Sequence, residues 1–182
     1  MREKQDMSVF SKTAVEAIRN FQLPSYRAIP DVGLYLNQAA AYVDDCLKPL
    51  GDLKLTPSMI SNYAKEGLID PPVNKKYYRV QLAYLLFIAL IKNVASMKEI
   101  RSLKELQEIT YSVEEAYNHF NEEMTNALNH LADPKHYAAY EVTGTKTKTS
   151  LLHAVMTTAV DKIYMDKYLT IYEQQDDTTS EE

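Results

Sequence analysis

Apolar residues recur at intervals of three and four along most of this chain, which is the spacing of helices that bury one face. The pattern predicts a helix from Asp31 to about Leu47, a short helix from Thr56 to Gly67, and an apolar helix from Val80 to Asn93. Further helices are predicted over 8–22, 96–109, 112–131 and 150–173. Four glycines and seven prolines in 182 residues also favour helices over a many-stranded sandwich.

Residues with known capping preferences mark several helix ends. Thr56 followed by Pro57 is typical of a helix start, and Gly67 suits the left-handed residue that ends one. Two serines are each followed three residues later by glutamate, which predicts capping boxes at Ser96–Glu99 and Ser112–Glu115.

The stretch 56–78 combines a short helix with a basic tip. Ile60 and Tyr63 fall on one face of that helix, whereas the other face carries four polar residues: Ser58, Ser61, Asn62 and Lys65. Pro71-Pro72 prevents the helix from resuming. A basic and aromatic segment follows, made of Asn74, Lys75, Lys76, Tyr77 and Tyr78. A slim polar helix and a basic hairpin together outline a winged helix-turn-helix, and a surface helix with a solvated loop remains the alternative.

The run NYAKEGLIDPP, followed by KKYYRVQLAYLLFIALIKNVASMKEI, resembles the DNA-binding domain of the MerR transcription regulators. By that resemblance Tyr63 matches a tyrosine of the recognition helix and Lys65 a basic position near the helix end. Lys75 and Tyr77 match a basic position and a tyrosine of the wing. The chain departs from that pattern at Ser61 and Asn62, where the family carries arginine and tyrosine.

A second resemblance covers more of the chain. LPSYRAIPDVGLYLNQ, together with LTPSMISNYAKEGLI and NKKYY, is similar to the bacterial family called domain of unknown function 1836, from about Leu23 to Glu99. That family has no established activity, so this resemblance indicates an architecture.

The charge is unevenly distributed along the chain. The net charge is -5, yet residues 50–104 carry nine lysines and arginines against four acidic residues. Residues 105–182 carry five against fifteen. A local basic region is what attraction to phosphate requires, and acidity elsewhere lowers non-specific binding.

Other classes of site find little support in the sequence. Cys46 is the single cysteine, which fits a reducing compartment, and the four histidines lack a metal-ligand spacing. Neither a phosphate-binding loop nor a catalytic motif is present, so we expect no enzyme activity, no cofactor and no metal. No apolar run approaches the roughly 20 residues of a membrane span. A cytoplasmic protein is therefore expected.

The predicted fold is mainly α, with a MerR-like winged helix-turn-helix, a small β wing and a helical C-terminal region. The predicted parts are an N-terminal helical arm (1–29), the winged domain (30–110), the C-terminal helices (111–175) and a disordered acidic tail (176–182). The tyrosines at 164, 168 and 172 belong either to the core or to a subunit seam.

The expected function is DNA-binding transcriptional regulation as a homodimer. Three residues would face base edges in the major groove: Ser58, Ser61 and Asn62. Four would hold phosphates: Lys65, Lys75, Lys76 and Tyr77. A protein-interaction module and a sensor of an unknown small-molecule effector remain open alternatives.

Overall fold

The computed structural model describes residues 7–133 and 147–179, which form seven α-helices and one two-stranded sheet. The helices are α1 (Met7–Ile18), α2 (Leu36–Leu47), α3 (Pro57–Lys65), α4 (Arg79–Ile91), α5 (Met97–Glu108), α6 (Val113–Ala132) and α7 (Thr147–Thr179). The strands are β1 (Leu34–Tyr35) and β2 (Lys76–Tyr77), and single 3₁₀ turns cover Tyr26–Ala28 and Lys48–Leu50. The mainly α class is confirmed.

The apolar helix α4 lies at the centre of the core. Nine of its thirteen residues are buried, because apolar side chains occur on nearly every side of it. α2, α6, α7 and strand β2 all pack against α4. Strand β2, which carries Lys76, therefore packs directly on the centre of the core.

Most of the predicted helix ends are confirmed. The backbone N–H of Met59 donates to Thr56 Oγ1 at 3.2 Å, and Gly67 adopts a φ of +71°. The Ser96–Glu99 and Ser112–Glu115 capping boxes both form. In each box the hydrogen bonds from serine to glutamate lower the pKa of the carboxyl.

The predicted start of the second helix is wrong. α2 begins at Leu36, where the side chain of Gln38 accepts a hydrogen bond from the backbone N–H of Tyr35 at 2.9 Å. Leu34 and Tyr35 instead form β1, which pairs antiparallel with Tyr77 and Lys76. Asp31, where the helix was predicted to begin, pairs instead with Arg79 at 3.5 Å.

The first and last helices pack together, so the tyrosine stripe of α7 contacts the same chain. Phe10 meets the rings of Tyr168 and Tyr172 at centroid distances of 5.9 and 5.8 Å. Ser11 Oγ lies 2.9 Å from the hydroxyl of Tyr164. These contacts give α1 a place in the core.

α7 is longer than the pattern predicts. It begins at Thr147, three residues before the predicted start at 150, and residues 134–146 lie outside the described residues. It continues to Thr179, where a disordered tail was expected from 176 onward. Adding a residue to an existing helix needs no new nucleus, which accounts for the extension into a polar sequence. In the described residues, no helix is both long and apolar enough to cross a membrane.

Candidate nucleic-acid interface

Helix α3 presents a polar face to solvent. Ile60 and Tyr63 anchor it in the core at 0% and 5% exposure, and burial raises the pKa of the Tyr63 phenol. On the opposite face, Ser58, Asn62 and Lys65 are exposed and Ser61 is half-buried. The structure therefore brings together all four polar residues that the sequence pattern placed on one side.

The basic tip is a two-residue hairpin. The backbones of Val73 and Lys76 exchange two hydrogen bonds of 3.0 Å, and the residues between them, Asn74 and Lys75, both have positive φ (50° and 62°). Positive φ at both central positions is the signature of a type I′ turn, whose twist matches that of paired strands. The turn places Lys75 at an exposed tip.

The lysines of α3 and the hairpin are available for an anionic partner. Among the described side chains, no carboxylate lies within 4.0 Å of Lys65, Lys75 or Lys76. The ammonium of Lys76 lies 5.2 Å from the centroid of the Tyr35 ring, which steadies it without neutralising it. α3 and both strands pack on α2, so one helix positions the two basic elements.

Tyr77 lies in a different environment from the other predicted site residues. It is 3% exposed, and burial raises the pKa of its phenol. Its backbone pairs with Leu34, so its ring packs into the core beneath the hairpin. The phosphate contact expected for this side chain is therefore replaced by a packing role.

Two arginines that the sequence pattern did not single out fix this surface. Arg79 donates to the carbonyl of Ile29 at 3.0 Å, pairs with Asp31 and lies 5.7 Å from the centroid of the Tyr26 ring. Arg101 on α5 donates to the carbonyl of Glu66 at 2.8 Å, at the end of α3. Both contacts join residues at least 35 positions apart, so no local pattern could have indicated them.

Acidic, histidine and cysteine side chains are scattered in the described part of the chain. There, no group of three or more could hold a metal ion. Cys46 is half-buried, and burial raises the pKa of its thiol. His153 Nδ1 lies 2.8 Å from the buried carboxylate of Glu123, where it joins α7 to α6.

The model of one protein family, Domain of unknown function (DUF1836), matches residues 24–120, more than half of the chain. The chain belongs to this family. The DUF1836 region spans every element from the first 3₁₀ turn through α5, with the first turns of α6, and so contains α3 and the hairpin. No curated protein and no solved structure matches the chain.

Proposed function

We propose that this protein is a DNA-binding transcriptional regulator acting through a winged helix-turn-helix formed by α2, α3 and the 73–76 hairpin. The supporting observation is the exposed polar face of α3 together with three lysines that no described carboxylate neutralises. A short helix with small polar side chains on its outer face can approach base edges closely in the major groove.

Each exposed side chain of α3 has a chemical role in this proposal. Asn62 can pair with the N6 and N7 edge of adenine, and Ser58 and Ser61 can donate to or accept from several bases. Lys65, near the end of the helix, contacts the phosphate backbone. Base edges give sequence selectivity, while phosphate contacts fix orientation.

The hairpin supplies phosphate contacts beside the groove. Lys75 lies at the tip and Lys76 one residue further, and each ammonium that neutralises a phosphate releases a condensed counterion. Tyr77 holds the hairpin on the core. Because one short helix reads only a few base pairs, the protein would bind two half-sites as a homodimer.

The decisive experiment is a fluorescence-anisotropy titration of labelled genomic DNA fragments at several salt concentrations. Replacing Lys75 and Lys76 together by glutamate is expected to weaken binding to all duplexes alike. Two lost phosphate contacts reduce the slope of log K against log salt by about two. The matched control is Lys12→Glu with Lys48→Glu, which makes the same charge change at exposed positions outside α3 and the hairpin.

A wild-type protein that binds no fragment at low salt contradicts the proposal. The wing assignment fails separately if both double variants lose affinity and slope equally, because the effect then follows net charge alone. Asn62→Ala tests the groove assignment, since it should lower the preference among sequences while leaving the salt slope unchanged.

A protein-interaction module is the second candidate, and one feature of the hairpin surface favours it. Val32, Tyr35 and Val73 are 78%, 55% and 56% exposed beside the strands. Tyr35 and Val73 both pair with Lys76, and exposed apolar groups that lie close together are typical of contact surfaces between proteins. Retention on an immobilised partner that persists at high salt, with no DNA binding, would favour this candidate.

A further inference from the structure

A mainly apolar cavity of about 140 Å³ lies between α4, α5, α6 and the start of α7. Phe87, Phe120 and Ile100 are among the side chains that line it, and the two phenylalanine rings meet edge to face at 5.2 Å. Leu106 and Leu151, also in the lining, are each 43% exposed, so the cavity opens to solvent on their side.

Three polar side chains in the cavity wall, Tyr84, Gln107 and Lys104, already have partners. The Tyr84 hydroxyl donates to Gln107 Oε1 at 2.6 Å, and Gln107 Nε2 donates to the carbonyl of Tyr111 at 2.8 Å. Lys104 pairs with Glu108, and its ammonium lies 5.5 Å from the centroid of the Tyr84 ring. A charged ligand would have to disrupt these pairs, whereas an uncharged one leaves them intact.

We propose that this cavity binds a small uncharged ring compound and that its occupation strengthens DNA binding by α3. An enclosed apolar cavity of about 150 Å³ lined by aliphatic and aromatic side chains accepts benzene, and the present cavity has a similar volume and lining although it is open on one side. The size and lining observed here therefore fit one aromatic or alicyclic ring.

Two contacts connect the cavity to α3. Leu68, which follows the end of that helix, lines the cavity directly. Arg101, one residue after the lining residue Ile100, donates to the Glu66 carbonyl at 2.8 Å. A ring that fills the space between α4 and α5 holds α5 in place and so keeps Arg101 on the end of α3. This second part of the inference rests on the proposed function, whereas the binding part does not.

Indole is a suitable probe because the chain contains no tryptophan. With excitation at wavelengths that tyrosine does not absorb, only indole fluoresces. Its emission maximum moves to shorter wavelength when an apolar site surrounds it. We expect a saturable shift and a higher thermal midpoint of unfolding at saturating indole. Absence of a saturable shift overturns the inference, whatever the result with DNA.

Filling the cavity tests the location. Ala116→Leu adds three carbons to the cavity wall. Because the leucine side chain takes up the space that indole would fill, we expect indole affinity to fall by about tenfold or more. Ala17→Leu on the exposed face of α1 is the matched control and should leave the affinity unchanged. Leu103→Phe, also in the lining, serves as a second filling variant if Ala116→Leu does not fold. Equal indole affinity in the wild type and a folded filling variant overturns the location.

The connection to α3 is tested by repeating the DNA titrations with and without saturating indole. A gain in DNA affinity of about fivefold or more is expected for the wild type, and none for Arg101→Ala, which should still bind indole. Indole binding with unchanged wild-type DNA affinity overturns the coupling alone. Indole binding without any DNA binding contradicts the proposed function and leaves the cavity assignment standing.

Discussion

Arg101 Nη2 donates to the backbone carbonyl of Glu66 at 2.8 Å and lies 3.3 Å from the Glu66 carboxylate. The carbonyls of the last turn of a helix have no partner within the helix. Arg101 therefore supplies from α5 a partner for the end of α3, and it does so with a positive charge that suits the helix dipole.

Replacing Arg101 by alanine should lower the free energy of unfolding by about 0.5–1.5 kcal/mol, since a half-exposed pair contributes little beyond its hydrogen bond. Urea denaturation measures this. Lys98→Ala, an exposed change on the same helix, is the comparison and should stay within about 0.5 kcal/mol of wild type. Equal losses in both variants would show that the contact does not stabilise the fold.

Gly33 and Gly67 give a matched pair of glycine substitutions. Both have left-handed backbone, with φ of +73° and +71°, but a Cβ at Gly33 would lie 2.8 Å from Tyr78 Cζ, while nothing lies within 4 Å at Gly67. Gly67→Ala should cost about 1 kcal/mol for the backbone alone. Gly33→Ala should cost about 2–4 kcal/mol, because the ring of Tyr78 must also move. Urea denaturation measures the free energy of unfolding of both variants. A larger decrease for Gly67→Ala than for Gly33→Ala would contradict the close contact between Gly33 and Tyr78.

Lys75 offers a way to separate hairpin geometry from charge. Its φ of 62° is unfavourable for lysine, so Lys75→Gly should stabilise the fold by up to about 1 kcal/mol. Lys75→Val, with a branched Cβ, should destabilise it by about 1–2 kcal/mol. Both variants lose the same charge and should show the same reduced salt slope in DNA binding. If the salt slopes of the two variants differ in the same way as their stabilities, the result argues against a phosphate contact at Lys75.

Tyr84 should make stability depend on alkaline pH. Burial raises its pKa from 10.0 to about 12, and Glu108 adds to the shift. The neutral phenol therefore favours the folded state fully below pH 10.0, and this contribution is lost as the pH rises towards 12. In Tyr84→Phe the free energy of unfolding, measured by urea denaturation, should fall less steeply over that range. Identical slopes in wild type and variant would contradict the prediction.

Local patterns were sufficient for much of the fold. Thr56, Gly67 and the two serine–glutamate boxes act within a few residues of their own position, so their roles can be identified from the sequence. The same holds for the buried face of α3, which follows from helical spacing alone.

The start of α2 shows where such patterns fail. Asp31 is a good capping residue, but the pairing of Leu34 with Tyr77 across 43 positions holds the backbone extended and delays the helix to Leu36. Tyr77 shows the same limit at the candidate site, because its match to a wing tyrosine implied an exposed phosphate contact. The antiparallel register instead turns its ring inward. Tertiary pairing outweighs local propensity in both cases.

The contact between α1 and α7 has a consequence for the order of folding. Ser11 and Tyr164 meet across 153 positions, and closing so long a loop costs more entropy than any helix-to-helix contact between neighbours in sequence. α1 should therefore dock last and detach first. Amide hydrogens of α1 would then exchange faster than those of α4, whose residues are enclosed by elements from both halves of the chain.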